Sequence, residues 1–142
     1  MLLLSLAAAV VAASAGCGQT RPHATPVSDH RVRLVLSGDL GRTQVLACSL
    51  VHHYAIFPGG RLITYTGSVR PAPDGRWKVK VKIKRCVDGR FQDSGADRVH
   101  GGPSGAYSGR LQAPGKGVYF ARSRYRGYSG DILSNKVYFQ VR

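Results

Sequence analysis

The stretch from Trp77 to Cys86, Trp-Lys-Val-Lys-Val-Lys-Ile-Lys-Arg-Cys, constrains the fold more than any other part of the chain. Trp77, Val79, Val81 and Ile83 alternate with Lys78, Lys80, Lys82 and Lys84. A β-strand sends successive side chains to opposite faces, so one face of this segment is apolar and the other is a ladder of ammonium groups. A helix would scatter the same lysines around its circumference. Val87-Asp88-Gly89-Arg90 follows, with Asp-Gly at its centre, and then a run from Phe91. That spacing predicts a tight turn and a return strand.

The remainder of the chain agrees with β structure. Its 142 residues suggest one domain. All seven acids are Asp, and Glu, common on surface helices, is absent. The 18 Gly and 7 Pro suit a fold with many turns. Lys and Arg total 21, giving a formal charge of +14. Such a charge attracts polyanions by a sequence-independent, salt-sensitive mechanism. It also serves solubility, and an Arg-rich coding bias would produce it without any ligand.

Leu2 to Ala13 is apolar and uncharged. Its length fits the core of an export signal and is short for a bilayer span. Ala13-Ser14-Ala15 is a small-x-small cleavage site that would release a chain starting at Gly16. Ser14-Ala15-Gly16-Cys17 resembles a bacterial lipobox, in which Cys17 would be acylated and become the new N-terminus; Ser14 stands where the family usually has an aliphatic residue. The polar, Pro-containing stretch that follows suits a tether. The expected organisation is a signal peptide over 1–16, a flexible tether over 17–30 and one domain over 31–142. The expected location is the outer face of the cell membrane, held by acyl chains at Cys17; a fully secreted protein is the alternative. Residues 1–16 carry no charge, so the mature chain keeps all of it.

Strand signals recur along the mature chain. His30 to Leu36 alternates, and Thr43 to Tyr54 reads as one poorly alternating strand, bulged or running into a loop. Arg61 to Val69 is rich in β-branched and aromatic residues. Phe91 to His100 is weakly patterned, Ala106 to Leu111 is a short strand, Val118 to Arg126 a strong one, Gly127 to Ser134 a loop and Lys136 to Val141 the last strand. About seven or eight short strands with turn signals between them predict an all-β sandwich or barrel.

From about Leu62 to Val141 the sequence resembles bacterial extracellular immunoglobulin-like domains. The resemblance rests on Thr66-Gly-Ser-Val69, the alternating strand ending in Arg85-Cys-Val-Asp-Gly-Arg-Phe91, Gly105-Ala-Tyr107, Pro114-Gly-Lys-Gly-Val-Tyr-Phe-Ala-Arg122 and Ser134-Asn-Lys-Val-Tyr-Phe-Gln-Val141. It implies an antiparallel immunoglobulin-like β-sandwich with an adhesive, spacer or carbohydrate-proximal role and no catalysis. It also implies a buried Trp77. Ala121 occupies the place of the core cysteine two residues after the corner tyrosine, so the inter-sheet disulfide of antibody-type domains is absent.

The candidate chemistry is sparse. With Cys17 assigned to lipid, Cys48 and Cys86 remain, and an oxidising compartment favours a bond between them. Loop entropy would make that bond worth about 4 kcal/mol. Alternation places Cys86 on the lysine face unless a bulge near Arg85 resets it; two separate buried thiols are the other reading. His52 and His53 are adjacent, so a regular strand would point them to opposite faces, and no metal or other cofactor is expected. Gly-x-Ser-x-Gly, His-Glu-x-x-His and Glu itself are absent from the sequence, so no enzyme is expected. The feature with most functional content is the lysine row Lys78, Lys80, Lys82 and Lys84 together with a second alternating row, Arg122, Arg124 and Arg126. If their strands are neighbours, one sheet face carries both rows and becomes an anion-binding surface for an envelope polymer or lipid headgroups, with no sequence-specific nucleic-acid recognition. Otherwise the rows are a solvated face whose lysines protect a sheet edge. A ligand-free structural or spacer domain, or a small secreted enzyme or inhibitor, are the rival functions.

Overall fold

The computed structural model describes residues 30–112 and 115–142. The segment read as an export signal, Cys17 and most of the expected tether lie outside the described residues. Among the described residues ten strands are formed: β1 (Arg31–Ser37), β2 (Arg42–Ala47), β3 (Leu50–Phe57), β4 (Leu62–Arg70), β5 (Lys78–Val87), β6 (Arg90–His100), β7 (Ala106–Gln112), β8 (Gly117–Gly127), β9 (Gly130–Leu133) and β10 (Val137–Val141). They make an all-β sandwich. One sheet has the order β1-β4-β7; the other runs β2-β3-β10-β8-β5-β6, with β9 paired to the far end of β8.

The expectation of seven or eight antiparallel strands is corrected in three places. Residues 43–54 are not one strand but most of a hairpin, β2 and β3, joined by Cys48-Ser49 with φ of 49° and 61°. Two left-handed residues in a two-residue loop form the primed turn that suits strand twist, here without the Asn-Gly that usually signals it. The segment read as a loop after Gly127 contains β9. Finally, β10 pairs with β3 in parallel, through Phe139 with Ala55 and Val141 with Phe57.

The alternating residues of β5 supply the centre of the core. Val79 and Val81 are wholly buried, and Trp77 packs edge-on against Tyr107 and Tyr125. The Trp77 indole N–H donates to the Gly102 carbonyl at 3.2 Å. In the smaller sheet, two tyrosines lie over two cross-strand glycines: Tyr65 covers Gly109 and Tyr107 covers Gly67. A Cβ at either glycine would overlap the ring above it.

Polar groups join the sheets. The Tyr65 hydroxyl donates to Asp97 Oδ2 on β6 at 2.7 Å. The Tyr107 hydroxyl donates to the Arg33 carbonyl at 2.6 Å, and Ser123 Oγ lies 2.8 Å from it. Ser134 Oγ accepts the Ser123 N–H at 2.9 Å and donates to the Asn135 carbonyl at 2.7 Å. The Asn135 side chain then meets β1: Oδ1 accepts the Leu34 N–H and Nδ2 donates to the Leu34 carbonyl, each at 3.0 Å. One carboxamide thus acts as a strand neighbour on the free edge of β1. At the start of β8, the Tyr119 hydroxyl donates to the carbonyl of Gly115, four residues upstream, at 2.6 Å.

Candidate anion-binding site

Strand β5 lies inside its sheet, between β8 and β6. Its lysines therefore do not protect an edge, and that reading is set aside. On one side Lys80 stands opposite Arg124 and Lys82 opposite Arg122. On the other, Lys80 stands opposite Arg98. Directly paired residues are about 5 Å apart, so Arg98, Lys80 and Arg124 form a row of cations across three strands. Lys78 is opposite His100, and Arg126 continues the arginine row past Arg124. The two rows that sequence alternation identified are thus adjacent on the outer face. Arg98 was not anticipated, because the β6 sequence has too little alternation to assign its face.

This face is incompletely neutralised. Asp93 approaches Lys82 at 3.9 Å and Lys84 at 3.4 Å, and Asp131 meets Arg124 at 3.0 Å. All three pairs are solvent-exposed and each contributes at most about 1 kcal/mol. Arg122 is held differently, its Nε–H donating to the Ser134 carbonyl at 2.9 Å. Against two carboxylates the face presents seven anticipated cations together with Arg98.

The cationic field ends at Lys84, which stands opposite Phe120 rather than a third arginine. Beyond it the same face is aromatic. Phe120 contacts Phe91 at a centroid distance of 4.9 Å and Tyr138 at 5.8 Å, while the His52 ring stacks on Tyr138 at 4.1 Å. Tyr54 meets Tyr138 edge-on at 5.8 Å. Burial pushes the Tyr54 hydroxyl above its ordinary pKa, with neighbouring Tyr138 adding to the shift, and this hydroxyl has no hydrogen-bond partner. Lys136 Nζ lies 5.0 Å from the Phe120 ring centroid.

What covers the aromatic half is the β2–β3 hairpin. Strand β3 pairs with β10 only through residues 55–57. Before them the hairpin leaves the sheet plane and swings across the outer face, and Cys48 at its tip bonds Cys86 on β5, with the two Cα atoms 5.8 Å apart. In the plane of the sheet, three strand spacings of about 4.8 Å separate β3 from β5. The bond is therefore a strap over β10 and β8, not a link between neighbours. It forms because Cys86 stays on the lysine face. Pairing of β5 with β8 is unbroken from Val79 to Arg85, and the register shift falls on β6, where Ser94 is passed over.

The remaining candidates separate. His52 is committed to Tyr138, whereas His53 lines a groove with Arg42 and Asn135 on the other side of β3. Asp97 is engaged by Tyr65. Among the described residues no three His, Cys, Asp or Glu side chains come together as a metal site. Cys17 lies outside the described residues. No protein-family model matches this sequence, and no match is found among curated proteins.

Proposed function

We propose that this is an exported, lipid-anchored, non-catalytic protein of the cell envelope that binds an anionic polymer or surface through the outer face of its larger sheet. The observation that carries the reading is the pairing of Lys80 with Arg124 and of Lys82 with Arg122 on an internal strand. Like charges directly opposite one another destabilise a sheet. Their cost falls when a polyanion replaces the counterions around them. The immunoglobulin-like character belongs to the same proposal. Its supports are the grouping of β1, β4 and β7 against β5, β8 and β10, and the Tyr119 hydroxyl turned back onto Gly115. Anchorage through Cys17 rests on the sequence around it.

The test is retention on immobilised heparin as a function of salt. The reading expects binding that weakens steeply as salt rises, and loss of most retention in Lys78→Ser/Lys80→Ser/Lys82→Ser. Unchanged retention of the triple variant would rule this face out, and absence of retention in the parent protein would leave a ligand-free spacer domain. Intact-mass measurement on membrane fractions separates an acylated Cys17 from a chain beginning at Gly16.

A further inference from the structure

Where the cationic and aromatic halves of the outer face meet, the surface sinks into a depression of about 430 Å3. That volume lies in the range of small-molecule sites rather than of a flat polymer track. Its cationic wall comes from Lys82, Lys84, Arg122 and Arg124, and Lys136 closes one side. Two of these groups are held in place by the protein: Arg122 by the Ser134 carbonyl and Arg124 by Asp131. Each guanidinium has five N–H donors, so most remain free to meet oxygen acceptors in a fixed orientation.

The other lining groups narrow the ligand. The exposed Leu133 gives an apolar wall, with the buried Phe120 beneath Lys136 at the floor. Asp131 also lines the depression, and a carboxylate there repels a bare anion but accepts hydrogen bonds from hydroxyl groups. A ligand satisfying all three features carries a compact, strongly charged anion, several hydroxyls and an apolar ring face.

We propose that the depression seats a phosphorylated sugar unit, its phosphate among Arg122, Arg124, Lys82 and Lys136, a hydroxyl on Asp131 and its ring face against Leu133. A phosphate monoester carries close to two negative charges at neutral pH and three acceptor oxygens, which suits a site with two oriented guanidinium forks. The inference rests on the anion-binding reading of the face and adds to it a discrete seat and a ligand class. Polymer binding needs only the charge of the whole field; this seat discriminates among anions.

The test is NMR titration of the isotopically labelled protein with inorganic phosphate, glucose, glucose 6-phosphate and a sulfated dextran. The expected order is glucose 6-phosphate tighter than phosphate by about tenfold, with glucose silent. The amide shifts should concentrate at Phe120, Arg122, Leu133 and Lys136. Arg122→Lys keeps the charge but loses the fork, and should weaken glucose 6-phosphate binding by about tenfold while leaving sulfated dextran nearly unaffected. Lys136→Gln, which leaves the Ser134 contact in place, should weaken the same ligand and guards against a folding defect in the first variant. Equal affinity for phosphate and glucose 6-phosphate, or shifts spread evenly over Lys78, Arg98 and Arg126, would overturn the seat while leaving the polyanion face intact. Absence of binding by all four probes, dextran included, would overturn both.

Discussion

The side chain of Asn135 meets both backbone polar atoms of Leu34, across the open edge of β1, at 3.0 Å each. It occupies the short break between β9 and β10, where the chain shifts along β8, and it covers an edge that would otherwise be free to pair with another molecule. Asn135→Leu keeps the volume and leaves a part-buried N–H and carbonyl without partners. The expected loss is about 1–3 kcal/mol. For a domain of this size that lowers the midpoint by about 4 °C per kcal/mol, readable by circular dichroism. A midpoint equal to that of the parent would show that water replaces the carboxamide at no cost.

The strap gives a second expectation. Cys48→Ser/Cys86→Ser removes the constraint on a separation of 38 residues and should cost about 4 kcal/mol in urea unfolding. The near-ultraviolet circular dichroism of the aromatic cluster beneath the hairpin should weaken with it. Retention of the full aromatic signal in the variant would mean that the stacking of His52 on Tyr138 holds the hairpin without the bond.

These two features mark how far the sequence could be read. The period of two in β5 was unambiguous because Val79, Val81 and Ile83 are core residues and all four lysines lie on the outer face. Adjacency of the lysine and arginine rows followed from the immunoglobulin-like resemblance and is met by the pairing of β5 with β8. The β2–β3 hairpin was not legible, because its turn is Cys-Ser and its apolar residues Leu46, Leu50 and Val51 are exposed rather than buried. The outer aromatic cluster was missed for a related reason. Phe120, Tyr138 and Phe91 sit at positions that alternation assigns to solvent, and only a segment distant in sequence covers them. The depression at their border depends on Leu133, which the sequence places in a loop, and on Lys136, which it places at the start of the last strand; tertiary folding brings both to Phe120.

Ser49 offers a test of the turn. It holds φ of 61° without being glycine, a conformation that costs an L residue about 1 kcal/mol. Ser49→Gly should therefore raise the thermal midpoint slightly, less the extra entropy of the unfolded glycine. Ser49→Val, branched at Cβ, should lower it. The reverse order would place the turn in another conformation.

Three tyrosines predict the alkaline limit. Burial raises the hydroxyl pKa of Tyr65, with the hydrogen bond to Asp97 adding to it; burial also raises Tyr54 and Tyr107 above the ordinary 10.0. The folded state then holds protons that the unfolded state has lost. Their contribution is complete below pH 10 and declines as pH climbs toward the folded values. Stability should be insensitive to these groups near neutrality and fall from about pH 10 upward. Tyrosinate absorbance should show these three of the seven tyrosines ionising only with unfolding. Early, non-cooperative titration of all seven would contradict the buried Tyr65–Asp97 contact.

The strap also bears on the order of events during folding. Cys48 and Cys86 both precede β8 and β10, the strands that end up beneath the hairpin. A bond closed as soon as Cys86 is available would leave residues 87–142 to find their places under an arch already tied. Late closure, or a bond that can be reopened and remade, avoids that trap. The demand falls on thiol–disulfide exchange while the C-terminal strands are still arriving, and it is a demand on timing that the finished molecule's stability does not reveal.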